Sequence, residues 1–98
     1  MNDMRIAVLL SMQRALLGNL GTRVRLVTCR WSKQDIKIRA IFDGEILDDE
    51  AAAMSAAETE VMADFPDHDV SLTFERCNAP QNIPREADEY AVFRRFES

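Results

Sequence analysis

Carboxylates crowd one short stretch of the chain, FDGEILDDE at 42–50, where five acids occupy nine positions with no Lys or Arg among them. Such a run could bind a metal, supply a catalytic pair, begin a helix or form a docking surface. A calcium loop closes on an acid at its twelfth position, whereas the segment 43–54 ends on Met54. We therefore predict no metal site and no other cofactor. The five acids are Asp43, Glu45, Asp48, Asp49 and Glu50.

Other residues that could perform catalysis stand in unfavourable settings. His68 is the only histidine, and it lies between Asp67 and Asp69 in a predicted exposed turn. Cys29 and Cys77 form no C-x-x-C pattern, so we interpret both as small apolar residues. Paired catalytic carboxylates need a cleft that separates their pKa values, and a turn beside a short helix does not offer one. We predict a protein without enzymatic activity; a hydrolase that uses His68 is a weaker alternative.

The two charge signs are segregated along the chain. Residues 5–39 hold eight Lys or Arg and one acid, and residues 43–69 hold ten acids and no Lys or Arg. Either the two surfaces neutralise each other within the fold, or one of them meets a partner of opposite charge. We predict that the acidic segment binds a cationic protein. The predicted binding residues are Asp43, Glu45, Asp48, Asp49, Glu50, Glu58, Glu60, Asp64, Asp67 and Asp69.

The basic segment 23–39 supports an alternative function. Its cations could track phosphates while Trp31 stacks on a base, as in a small regulatory protein that binds nucleic acid. The net charge of −5 and the acidic second helix oppose that interpretation, because both repel a polyanion. We therefore expect no nucleic-acid partner. The cations concerned are Arg23, Arg25, Arg30, Lys33, Lys37 and Arg39.

Hydrophobic periodicity predicts two helices that position these charges. The first runs from Asn2 or Asp3, as the cap, to about residue 19, where Gly18 and Gly21 favour a helix end. The second starts at a cap formed by Asp48 or Asp49 and ends before Phe65-Pro66, with Met54, Ala57, Val61 and Phe65 buried. The predicted buried stripe of the first helix is Ile6, Leu9, Leu10, Leu16, Leu17 and Leu20.

Four strands complete the prediction. Segments 23–31 and 36–42 form a hairpin with a bulge near Leu26, and 70–76 and 90–96 form two further strands around a loop at 78–88. We predict a single α+β domain over 1–98, in the order α-β-β-α-β-β, with two helices packed on one face of an antiparallel sheet. An edge strand would also allow a homodimer. The longest apolar run near the N-terminus, Ile6 to Leu10, predicts neither a signal peptide nor a membrane partner, hence a cytoplasmic protein.

Four stretches resemble small bacterial immunity proteins of polymorphic toxin systems, of the contact-dependent growth inhibition and Maf types. They are ALLGNL at 15–20, KIRAIFDGEI at 37–46, AAETEVMADFP at 56–66 and EYAVFRR at 89–95. The resemblance implies a cytoplasmic protein that binds the toxic C-terminal domain of a secreted effector, often a nuclease. It would inhibit that domain by binding alone, without catalysing a reaction. The resemblance implies no catalytic motif, so the predicted contact residues depend on charge alone.

Overall fold

The computed structural model describes residues 3–97, in which two helices and four strands follow the predicted order. Neither helix combines the length and apolar character that a membrane span requires. The elements are α1 (Asp3–Leu16), β1 (Val24–Trp31), β2 (Asp35–Phe42), α2 (Asp48–Asp64), β3 (Asp69–Arg76) and β4 (Tyr90–Arg94).

The sheet is mixed, so the prediction of an antiparallel sheet was wrong. Its strand order is β3-β2-β1-β4; β1 runs antiparallel to β2 and β4, but β3 runs parallel to β2. The reason is the connection: α2 carries the chain back along the sheet, so that Asp69 starts β3 beside Asp35, the first residue of β2. The order of elements was predictable, whereas this strand direction was not.

The bulge predicted in β1 lies at Arg25, where the pairing with β2 shifts between Val24 and Leu26. A second irregularity shifts the pairing of β1 with β4 between Val27 and Thr28. A bulge changes which face of the sheet the following residues address. Val24, Val27 and Cys29 therefore all belong to the core beneath the helices, while Leu26 and Thr28 lie on the opposite face.

The core fills the space between the helices and one face of the sheet. Strand β2 contributes its alternate residues to this core, from Ile36 to Phe42, as its pattern predicted. The buried stripe of α2 is confirmed at Met54, Ala57 and Val61, with Phe65 partly buried. The N-cap of α2 is Leu47, without a side-chain hydrogen bond, so the prediction of an aspartate cap was wrong.

The stripe predicted for α1 was half right: Leu16 is buried and Leu9 and Leu20 pack against the core, but the other three residues are exposed. Val8, Met12, Ala15 and Leu16 are the buried apolar residues of this helix, whereas Leu17 is 77% exposed. Ile6 and Leu10 are exposed too, and the helix ends before Gly18, whose φ is +78°. Small residues such as Ala15 and Ser11 allow α1 to approach α2 closely. The cap predicted at Asn2 or Asp3 depends on side chains outside the described part of the chain.

The second face of the sheet, here called the outer face, is defined by Leu26, Thr28, Arg39 and Ile41. Residues 77–89, which link the edge strands β3 and β4, run across it without forming a helix or strand. The predicted loop at 78–88 is thus confirmed, and it acts as a third layer. The fold is a helix layer, a four-stranded sheet and a loop layer.

Candidate protein-binding surface

Six of the ten predicted binding acids belong to helix α2, and the other four lie in the segments before and after it. Its first turn carries Asp48, Asp49 and Glu50, where the positive end of the helix dipole stabilises negative charge by about 0.3 to 1 kcal/mol each. The Asp49 carboxylate accepts a hydrogen bond from the Glu50 N–H at 2.8 Å. Asp48 and Asp49, which are both exposed, can therefore stabilise the helix start and also face a partner.

Three of the ten predicted binding acids form ion pairs inside the fold. The Arg95 guanidinium donates to Asp43 at 2.9 Å and, with the backbone N–H of Ala79, lowers the pKa of that carboxyl. Asp64 accepts hydrogen bonds from Ser11 at 2.7 Å and from Arg14 at 3.1 Å, which lower its pKa and join the two helices.

Glu50 is the third acid with an internal partner. Its carboxylate accepts a hydrogen bond from the backbone N–H of Arg23 at 3.2 Å, and its side chain is only 11% exposed. One carboxylate oxygen, Oε1, is buried without a hydrogen-bond partner and lies 4.0 Å from Nε of Arg23. Glu50 therefore ties the start of α2 to the turn before β1, and it offers little charge to a partner.

The other seven acids lie on α2 and in the segments on either side of it, four on the helix, one before it and two after it. Six are exposed and Glu58 is half-buried. Within residues 3–97 none of them forms an ion pair, and Glu60 makes only a long hydrogen bond of 3.4 Å with Asn19. A 17-residue helix is about 25 Å long, so these charges cover an extended surface. They are Glu45, Asp48, Asp49, Glu58, Glu60, Asp67 and Asp69.

The basic hairpin β1–β2 has two of its arginines buried on the outer face. Arg39 forms a paired hydrogen bond with Glu75, at 2.8 and 2.9 Å, and donates to both carboxylate oxygens of Glu89 at 2.8 Å. It also donates to the carbonyl of Pro84 at 3.1 Å. The hydrogen bond with Glu75 contributes most to raising the pKa of Arg39. This arginine fastens the loop layer to the sheet.

Glu89 is the most buried carboxylate of this network, with a side chain that is 1% exposed. Burial alone would raise its pKa, but four hydrogen bonds outweigh burial and lower the pKa to about 2. Their donors are Arg39, the backbone N–H of Glu86, the Thr28 hydroxyl and Arg85. Glu89 is thus ionised throughout the physiological range.

Arg25 plays the same part at the other end of the loop layer. It donates two hydrogen bonds to Glu97, at 2.7 and 2.9 Å, which lower the pKa of Glu97 to about 2. It also donates to the carbonyls of Cys77 at 2.7 Å and Gln81 at 3.0 Å. Sequence reasoning missed this set of contacts, because the acids that pair with Arg25 and Arg39 come from distant parts of the chain.

The structure thus leaves only part of the basic segment available to a phosphate backbone. Arg25 and Arg39 are buried, and Arg23 contacts Glu50 and the carbonyl of Glu45. Trp31 stacks on Tyr90 with ring centroids 5.1 Å apart. Three cations, Arg30, Lys33 and Lys37, remain on the hairpin surface without an ion pair among the described residues.

The remaining candidates for chemistry are dispersed. His68 lies in the predicted turn but is half-buried, with its ring edge-on to Phe65 at 5.6 Å. Cys29 is buried in the core, where burial raises its pKa to about 12, and Cys77 is half-buried. Within residues 3–97, no three His, Cys, Asp or Glu side chains are grouped closely enough to hold a metal ion.

The fold and this surface define a small α+β protein with an acidic helix on one side and a charged, loop-covered sheet face on the other. Residues 5–97 match the family model described as MafI2 immunity protein, and the chain belongs to that family. The resemblance seen in the sequence is thereby confirmed. Membership gives the chain a toxin-neutralising role in which the partner is a cognate toxin protein. No match was found among curated proteins.

Proposed function

We propose that this chain is a cytoplasmic, non-enzymatic inhibitor, one domain over 1–98, that binds the basic surface of a toxin domain of the nuclease type. The observation that carries the proposal is the set of seven acids on α2 and in its flanking segments, six of them exposed and none of them in an ion pair within residues 3–97. A nuclease presents cations to its substrate, so an acidic surface of this length complements it.

The physical basis is electrostatic steering followed by close pairing. An acidic surface accelerates encounter with a basic one, and close charge pairs in tight complexes couple by about 1.5 to 7 kcal/mol. The three paired acids contribute to this surface indirectly. Asp43 fixes the turn after β2, and Glu50 and Asp64 fix the two ends of α2. The exposed acids are then presented on rigid backbone, which limits the entropy lost on binding.

The proposal is tested with the toxin domain encoded immediately upstream in the source genome. The variant Asp48→Lys/Asp49→Lys/Glu60→Lys should associate at least tenfold more slowly, and its association rate should depend less on salt. The measurement is association kinetics at several salt concentrations, with circular dichroism to verify the fold of each variant.

A matched control reverses exposed charges of the opposite sign. Lys33→Glu/Lys37→Glu changes the hairpin surface and should leave toxin association unchanged or faster. If this control fails to bind the toxin while the triple lysine variant binds it fully, the toxin contacts the hairpin and not the acidic surface. RNA binding by the wild type that the hairpin variant loses would instead support the nucleic-acid alternative.

A further inference from the structure

Phe96 is the most exposed large apolar residue of the described chain, at 92%. It follows β4 in a segment, 94–97, that is otherwise held firmly against the sheet. Isolated exposed apolar residues are ordinary on protein surfaces, so exposure alone does not mark a site. What distinguishes Phe96 is that both of its neighbours in the chain are fixed by several hydrogen bonds.

Arg95 is fixed by its backbone and by its side chain. Its N–H donates to the carbonyl of Arg25 at 2.9 Å, and its guanidinium donates to the Thr22 carbonyl at 3.0 Å and to Asp43 at 2.9 Å. Glu97, on the other side, accepts two hydrogen bonds from Arg25 and a third from Arg95 at 3.0 Å. The backbone at Phe96 is thus held in place from both sides while its ring projects into solvent.

A ring presented in this way loses little freedom when a partner covers it. Aromatic anchors that fill a partner's pocket supply a large share of interface energy, and preorganisation reduces the entropic cost of binding. In the free protein the exposed ring is unfavourable, because its apolar surface remains in contact with water. The five hydrogen bonds of Arg95 and Glu97 to Arg25, Thr22 and Asp43 offset part of this unfavourable exposure.

The surroundings of Phe96 indicate the chemistry of the surface that would cover it. The ring borders an open groove of about 710 Å³ whose apolar lining includes Leu26 and Ile83. Arg94 lines the same groove, is exposed, and forms no ion pair within residues 3–97. A complementary surface therefore carries an apolar pocket for the ring and a carboxylate for Arg94.

The position of Phe96 joins it to the acidic surface. Asp43, which fixes Arg95, belongs to the same turn as Glu45 and precedes the first turn of α2. The ring and the acids of that turn thus lie at one end of the sheet, within reach of a single partner of ordinary interface size.

We propose that Phe96 is an aromatic anchor of the toxin interface, inserted into an apolar pocket of the toxin domain beside a carboxylate that pairs with Arg94. This inference rests on the proposed function and adds a second, apolar component to it. The acids of α2 govern encounter, and Phe96 governs the lifetime of the complex.

A nucleic-acid base stacked on Phe96 is the competing occupant, and charge argues against it. The groove contains Arg25, Arg85 and Arg95, but each is already paired with Glu97, Glu89 or Asp43. Arg94 alone remains to contact a phosphate. Single-strand binding needs several free cations along the backbone path, so a protein surface is favoured.

The test compares Phe96→Ala with Leu17→Ala, which truncates another strongly exposed apolar residue, 77% exposed and placed just after α1. Phe96→Ala should weaken binding of the upstream-encoded toxin domain by about 30-fold, mostly through faster dissociation, with the salt dependence of association unchanged. Phe96→Tyr should restore most of the affinity, and Leu17→Ala should match the wild type. Surface plasmon resonance at two salt concentrations separates the two rates.

The outcomes separate this inference from the function on which it rests. Toxin binding that Phe96→Ala leaves within twofold of the wild type overturns the anchor and leaves the inhibitor intact. Failure of the wild type to bind the toxin overturns both. Binding of a fluorescent single-stranded RNA that Phe96→Ala abolishes would show that a base, not a toxin side chain, occupies the site.

Discussion

The two faces of the sheet are stabilised in different ways. The face beneath α1 and α2 is closed by apolar residues such as Phe42, Ile36 and Val61, all with no exposed surface. The outer face is closed by the 77–89 loop, which Arg25 and Arg39 hold through charged hydrogen bonds. Apolar burial is non-directional and tolerates repacking, whereas each charged contact depends on one geometry. The apolar face should therefore supply most of the stability of the fold. The charged contacts of the outer face should mainly fix the position of the loop.

The largest effect is expected on the helix-covered face. Phe42→Ala should lower the free energy of unfolding by about 3 to 5 kcal/mol, because it removes a fully buried ring at the end of β2 that also contacts Phe74. Urea denaturation measures the loss. Ile83→Ala in the loop layer, where the side chain is only half-buried, is the matched control and should cost much less. Equal losses would remove the proposed difference between the faces.

A smaller effect is expected from the outer face. Arg39→Met should cost about 3 kcal/mol, since it leaves Glu89 buried without its main cationic partner. The double variant Arg39→Met/Glu89→Leu should recover part of that stability, because the uncompensated charge is then gone. A double-mutant cycle by urea denaturation checks this. A double variant no more stable than Arg39→Met would show that the ion pair itself stabilises the fold.

Low pH should destabilise the charged contacts of the outer face more than the apolar core. A carboxyl whose pKa is lowered by folding stabilises the fold above its unfolded pKa and loses that contribution as the pH falls through its folded pKa. For Glu89 the window runs from 4.5 down to about 2. The wild type should lose stability across this window, and Glu89→Gln should show a shallower loss. Glu45→Gln, at an exposed acid without an ion pair, should follow the wild type in thermal unfolding at each pH.

The difference between the faces also explains what the sequence could predict. Alternation in Ile36, Ile38, Ala40 and Phe42 and the stripe of α2 identified the apolar face, because burial repeats with the period of each element. Ile6 and Leu10 were wrongly predicted to be buried because apolar residues occur on two adjacent sides of α1. The pairing of Arg25 with Glu97 leaves no periodic signal, since the partners are 72 residues apart.

The acidic surface was only partly predictable. Charge counting found the ten acids, but it could not distinguish Glu50, whose carboxylate faces the backbone of Arg23, from Asp48 and Asp49 in the same helical turn. Phe96 was assigned to a fourth strand that in the structure ends at Arg94. Its exposure follows from contacts between distant segments, which no local pattern encodes.

A growth assay tests whether this chain neutralises a toxin by binding it. The last hundred or so codons of the gene immediately upstream would be expressed in a bacterium, with and without this chain. We expect growth arrest that this chain relieves, and weaker relief by Asp48→Lys/Asp49→Lys/Glu60→Lys at equal protein level. Arrest that persists despite soluble expression of the wild-type chain would show that this chain does not neutralise that toxin.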